Sequence, residues 1–312
     1  MSGRACELKV ERLSTIEKVW KELFKKAKNP LPFTSYEWFS VLASNLLGFD
    51  PEIIVFRDGG VVVGILAATV TRDVVRLVGD ERVTDLNDIL CLPGHENRIT
   101  ETLAEFVRQN ELGLDLFPLE VNSALVVGLK DQLPEVSVEK KDLCPLLELP
   151  RTWDDYLREL DSKSRHELRR KMRRINGTVI RDVKSADIDI LFRLMTVSDN
   201  SKEEFLTPGI MAFFKELTER FDRNGWLRFR ALVFDCNPVG AILAFVLKGR
   251  VFLYNMGFDP EYRRISPGIM TIARDIQSSI SEGYEYYDFL RGDEDYKYRF
   301  GAKERYTVRV TR

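Results

Sequence analysis

The sequence predicts an α/β protein made of two similar halves, each a mixed, mostly antiparallel sheet flanked by helices. Three observations predict it. The chain has 312 residues, beyond the size at which one core usually splits in two. The stretches EIIVFRDGGVVVGILAATV from Glu52 and FRALVFDCNPVGAILAFVL from Phe229 share one pattern: apolar strand, polar turn, then Val-Gly and a second apolar strand. Gly64 therefore matches Gly240, offset 176, and the closing strands LDLFPL and YDFLRG match Asp115 to Asp288, offset 173. Offsets this close mark a tandem duplication.

Each half reads as helices, an antiparallel hairpin, a further strand, a helix and a final strand; a strand-helix-strand crossover makes that last pairing parallel. The division falls between Pro145 and Thr152, where two prolines bracket LLEL, giving domains 1–150 and 151–312. In the second half TWDDYLREL is a helix capped by Thr152, and TPGIMAFFKELTERFDRNG is one with Thr207 as N-cap, Pro208 first and Gly225 as stop. RVFLYNMGF is the strand that leads, through a turn, to a helix with Ile269, Ile272, Ile276 and Ile280 on one face and Gly283 as terminator.

Composition narrows the function classes. A net charge of -2 with 31% charged residues excludes a generally basic, nucleic-acid-coating surface. Cys6, Cys91, Cys144 and Cys236 form no C-x-x-C pair, and with only His95 and His166 no zinc-ligand set follows from spacing, so buried thiols are expected and no metal. The longest apolar runs are too short to span a bilayer and none resembles a signal peptide. A cytoplasmic protein is the expectation.

The most informative local feature is Ser266-Pro267-Gly268. Ser266 suits an N-cap and Pro267 a first helical position. The free amides there, with the positive end of the helix dipole, make an anion site; Gly268 would let a pyrophosphate approach, with Arg263 and Arg264 just upstream. Asn255-Met256-Gly257 ends the preceding strand, and a bulge there would leave amides facing a ligand. The first half has Pro93-Gly94 but no such helix start. Its role is scaffold or substrate wall, and the ligand site belongs to the second half.

At this point the chain resembles the GNAT acyltransferases. Asp259-Pro260, Tyr262, Ser266-Pro267-Gly268 and DFLRGDEDYK from Asp288 to Lys297 are similar to the BioF2-like acetyltransferases associated with cellulose biosynthesis. Ser162-Lys163-Ser164-Arg165 before a basic helix, Asp288-Phe289 with Gly292, and Lys297 to Gly301 also resemble the Fem aminoacyltransferases, which are tandem GNAT folds. The long helical hairpin of several Fem enzymes is missing, which disfavours a tRNA substrate. The resemblance implies tandem GNAT-like domains, the first non-catalytic, and a cofactor site of Met256, Gly257, Arg263, Arg264, Ser266, Pro267, Gly268 and Ile269 for acetyl-CoA or another acyl-CoA.

The charges that follow YYDFL would then line a cleft mouth. N-acylation requires a proton acceptor, oxyanion donors and an acid for the leaving thiolate. Glu294 and Asp293 are the candidate acceptors, the amides of Met256 and Gly257 the donors, and Tyr296 the acid. Lys297 would bind a substrate phosphate or carboxylate. Asp288 is either buried, with Arg291 or Arg165 as partner, or part of a substrate site with Arg291. KSRHELRRKMRR carries seven Lys or Arg, along an apolar seam of Leu160, Leu168, Met172 and Ile175, and ends at Asn176-Gly177. Part of this run is dipole chemistry at a helix end. Arg165, Arg169 and Arg173 recur at helical spacing and would enter the cleft to bind substrate, or the stripe would meet a polyanion. The expected function is transfer of an acyl group from acyl-CoA to a small-molecule or peptide amine. The alternatives are a Fem-like aminoacyl-tRNA transferase and a non-catalytic module for an anionic partner.

Overall fold

The computed structural model describes residues 6–173 and 177–312. Arg174, Ile175 and Asn176, read above as the end of the basic helix, lie outside the described residues. Two compact units emerge, Met1–Leu143 with Tyr306–Arg312, and Cys144–Arg305.

The first unit contains β1 (Glu7–Arg12), β2 (Glu52–Asp58), β3 (Val61–Leu66), β4 (Ala68–Thr71), β5 (Val74–Leu77), β6 (Leu90–Cys91), β7 (Gly113–Glu120) and β8 (Ser137–Leu143). The second contains β9 (Leu146–Glu148), β10 (Thr178–Asp182), β11 (Leu227–Phe234), β12 (Asn237–Leu247), β13 (Arg250–Phe258) and β14 (Tyr286–Asp288). The last strand, β15 (Tyr306–Thr311), joins the first unit between β7 and β8. The sequence reading placed residues 151–312 in one half, but Thr307, Val308 and Val310 are buried in the first unit's sheet. Only long-range pairing decides which sheet such a short strand completes.

The first unit has sheets ordered β1-β2-β3-β6 and β4-β5-β7-β15-β8, and the second has one sheet ordered β10-β11-β12-β13-β14-β9. Pairing is antiparallel except at β5–β7 and β13–β14. Each parallel pair is bridged by a crossover helix, Glu96–Gln109 in one unit and Pro267–Ser281 in the other. The expected mixed architecture is present in both.

The repeated Val-Gly has a common physical cause. In both hairpins the glycine sits beside a β-bulge, next to Phe56 in β2 and next to Leu232 in β11. A Cβ on Gly64 would lie 2.4 Å from Ile99 Cδ1, and one on Gly240 would lie 2.2 Å from Thr271 Oγ1. Ile99 and Thr271 belong to the two crossover helices, so each glycine lets its helix sit directly on the sheet.

In the second unit a buried ion-pair network fastens that helix from both sides. Arg228 on β11 binds Asp275 at 2.8 Å and Glu282, and Tyr287 on β14 donates to Asp275 at 3.0 Å. Thr152 and Thr207 cap their helices as expected, accepting from the amides of Asp155 and Ile210.

Gly240→Ala should lower unfolding free energy by about 1–3 kcal/mol, the usual cost of overpacking. Thr271 is stiff at χ1 and its hydroxyl is bound to Pro267 O at 2.8 Å, so it cannot simply rotate away. Adding Thr271→Ala should restore most of the loss, as read from urea melts of the single and double variants.

Candidate active site

Pairing between β13 and β14 is short. Arg250, Val251 and Phe252 face Tyr286, Tyr287 and Asp288, and the ladder stops there. β13 continues to Phe258 with a register shift that leaves Tyr254 as an extra residue, while β14 enters a turn with Leu290 at φ 54°. The two segments part, and the wedge opens on a cavity of about 290 Å³ lined by Asp199, Asn255, Met256, Arg291, Glu294 and Lys297, with Phe289 and Tyr296 behind. This is the position at the carboxyl end of parallel strands where α/β sheets bind ligands.

Asp288 stands at the branch point and is fully buried. Its partners are Arg250 and Arg305, the latter at 2.7 Å, with the Leu290 amide donating at 2.9 Å. Burial pushes its carboxyl up, but the Arg250 and Arg305 charges outweigh that and hold it below the ordinary carboxylate range. Neither Arg291 nor Arg165 is the partner named from sequence, and a carboxylate saturated in this way is no substrate-binding group. Arg291 is half-buried and lines the cavity.

Lys297 also differs from expectation. Its side chain is 2% exposed, and Nζ donates to the carbonyls of Arg291 at 3.0 Å and Gly292 at 3.2 Å while pairing with Glu294 at 2.9 Å. An ammonium with its donors spent on a turn does not bind a substrate phosphate; it holds the turn. Gly292 makes this possible, because φ is 125° and a Cβ would fall 2.3 Å from Glu294 Oε2 and 2.8 Å from Lys297 Nζ.

The remaining candidates divide clearly. Glu294 is half-exposed on the cavity wall, held by Lys297. Tyr296 lines the same wall, and burial, with the Glu294 charge adding, pushes its phenol well above the usual range. Asp293 is exposed and does not line the cavity. Met256 does line it, but Gly257 is a packing glycine: a Cβ there would lie 2.3 Å from the Met195 amide nitrogen in helix Asp189–Ser198. The bulge falls at Tyr254, not at Gly257.

The helix start is less open than the sequence suggested. Ser266 takes a left-handed conformation, φ 52°, and its hydroxyl makes no cap bond. Pro267 and Gly268 are buried, and the space a Cβ would fill on Gly268 holds the Phe258 ring, 2.8 Å away. Arg263 and Arg264 are exposed on the preceding turn.

Ile269 instead borders a second cavity, of about 690 Å³, with Lys163, His166, Lys171, Arg299 and Phe300. Sequence reasoning chose the wrong flank of the basic helix Ser162–Arg173. Arg165 folds back to donate to the carbonyls of Arg158, 3.2 Å, and Leu160, 3.5 Å, at the end of the preceding helix. Arg169 and Arg173 are exposed and line neither cavity. Leu168 anchors the helix, and both flanks of that seam carry cations, so periodicity alone could not choose between them.

Residues 162–298 match the acetyltransferase (GNAT) domain family. That match supports an acyltransferase. Among solved structures, FemX superposes with a TM-score of 0.69 at 10% identity, covering 97% of this chain and 96% of that one. L-PGS from Bacillus licheniformis gives 0.61 at 9% identity, covering 94% and 90%. A tandem GNAT protein from the clavulanic acid biosynthesis pathway gives 0.49 at 13%, covering 97% and 98%. At such identities the first two show the shared fold. No curated protein matches in sequence.

Asp288→Asn should cost about 3 kcal/mol at neutral pH, because two partly buried guanidiniums lose their buried counter-charge. A carboxyl with depressed folded pKa contributes stability above its unfolded pKa of about 3.9 and loses it as pH falls through the lower, folded value. The gap between wild type and variant should therefore be constant above about pH 5 and narrow steadily below pH 4, as followed by chemical denaturation across pH.

Proposed function

We propose that the second half, residues 151–312 as divided from sequence, transfers an acetyl or other acyl group from acyl-CoA to an amine, and that the first half, residues 1–150, carries out no acyl transfer. The supporting observation is the wedge: parallel pairing that ends at Phe252 and Asp288 leaves a cleft lined by a carboxylate, a phenol and residues of β13. The finer BioF2-like grouping belongs to the same proposal, resting on the DFLRGDE stretch.

In this reading Glu294 accepts the proton of the attacking amine, Lys297 fixing its position. Tyr296, held protonated by its surroundings, donates to the departing thiolate. The β13 edge near Met256 supplies the oxyanion donor. Asp199 is a further participant: Ser201 donates to it through its amide at 2.9 Å and its hydroxyl at 2.8 Å. These bonds hold its carboxyl below the usual range, so it greets the acceptor as a charged partner for an ammonium. The basic cavity beside Ile269, with Lys163, His166 and Lys171, suits the donor's phosphates. The four cysteines are unpaired, in keeping with a cytoplasmic enzyme.

A second reading, aminoacyl-tRNA as donor, is favoured by one observation: Phe258 covers Gly268 and leaves no bare glycine for a pyrophosphate. Acetyl-CoA should raise the melting temperature of the protein in a saturable way; stabilisation by aminoacyl-tRNA and none by CoA would reverse the order of the two readings.

Glu294→Gln should reduce turnover at least tenfold with an unchanged melt, the lower end of what a positioned base contributes. Lys297→Ala should reduce both turnover and thermal stability, because it removes the clamp on the 290–292 turn. A thiol-release assay alongside calorimetry separates the two effects, and full activity in Glu294→Gln would remove that residue from the mechanism.

A further inference from the structure

The wedge carries more positive charge than a plain amine acceptor calls for. Its lining includes Lys202, Arg291 and Lys297 against Asp199 and Glu294, three cations to two carboxylates. Amines enter as cations at neutral pH, so a wall with this excess repels a bare ammonium. Lys297 and Glu294 pair with each other at 2.9 Å, which leaves Asp199 facing two cations.

Lys202 is the cation to explain. Its amide donates to Asp199 O at 3.0 Å at the start of helix Ser201–Phe205, so a single turn sets a carboxylate and an ammonium on one cavity wall. The two do not form an ion pair. Asp199 is held instead by the Ser201 amide and hydroxyl, and the Lys202 charge only adds to the depression of its carboxyl. Among the described residues Lys202 Nζ has no carboxylate partner; it lies over the Phe205 ring, 5.6 Å from the centroid. A half-buried ammonium in that position is placed to receive an anion.

We propose that the acceptor is an amino acid, an amine that brings its own carboxylate, and that Lys202 reads that carboxylate while Asp199 receives the ammonium. One negative charge matches the excess of the wall, whereas a phosphate dianion overshoots it. This substrate class rests on the acyl-transfer reading. The amine nitrogen bonds the acyl carbon as the C–S bond breaks. The ammonium gives up two protons in all, one on binding and one to Glu294, and the thiolate takes one from Tyr296. Free thiol, an N-acyl amino acid and one proton result.

Thiol release from acetyl-CoA, measured with the common α-amino acids and β-alanine beside their carboxamides, tests this. At least one amino acid should exceed its amide about tenfold or more in kcat/KM, the worth of a charge-assisted hydrogen bond. Lys202→Met should raise KM for that amino acid about tenfold with kcat little changed, and Lys202→Arg should restore most of the loss. Calorimetric binding of the same amino acid to the full chain should follow the same order, with melting temperatures unchanged. Amides used as well as amino acids, or an unchanged KM in Lys202→Met, overturn the inference and leave acyl transfer standing. O-phosphoethanolamine used better than any amino acid overturns the carboxylate assignment. No thiol release with any amine, but amino-acid binding that depends on Lys202, overturns the transfer reading and keeps the recognition; neither release nor binding overturns both.

Discussion

A buried carboxylate caught between two partly buried guanidiniums sets the geometry of the second unit. Asp288 ends the β13–β14 ladder, and its pairing with Arg250 and Arg305 permits a charge where the sheet has no water. The same carboxylate accepts from the Leu290 amide, which requires the chain to turn at once, and Leu290 pays with a left-handed φ. Lys297 then pins the carbonyls of Arg291 and Gly292. Of the dense charge after the strand, Lys297 is internal scaffolding, Arg291 and Glu294 line the cavity, and Asp293, Asp295 and Arg299 are exposed.

Helix seating is the second constraint, and it operates in both units. Gly64 and Gly240 bring their crossover helices against the sheet, and Gly257 does the same for helix Asp189–Ser198 on the far stretch of β13. Close backbone approach on β13 carries Ser198 and Asp199, at the end of that helix, to the cavity rim. Packing glycines and site chemistry are therefore linked in this fold: a residue that looked like an amide donor from its place at a strand end acts by bringing another element close.

Local chemistry was legible in the sequence and long-range chemistry was not. Thr152 and Thr207 announced their caps because a hydroxyl three residues from an amide needs nothing else. The duplicated Val-Gly was visible because both copies answer the same steric demand. Ser266 had the right neighbours for a cap, yet its backbone turned left-handed. Asp288 was read as a buried acid with a partner, but Arg250 and Arg305 lie 38 and 17 residues away and had no local mark. Lys297 was assigned to substrate through its resemblance to the Fem pattern, whereas burial turned it inward. Asn255 and the flank holding Lys163, His166 and Lys171 went unassigned, since only tertiary packing of Leu168 decides which cations meet a cavity.

The two cavities of the second unit share an aromatic wall, and this bears on how the proposed reaction is arranged. Phe289 lines the wedge, its ring 6.3 Å from Tyr296 and 6.1 Å from Phe300, and Phe300 lines the basic cavity. Tyr156 donates to Phe300 O at 2.9 Å and so fixes one end of that wall. In the proposed reading, phosphates bound among Lys163, His166 and Lys171 would lie across these rings from the wedge. Cations that recognise a donor and a carboxylate that activates an acceptor would then, in that reading, sit in one domain on either side of these rings.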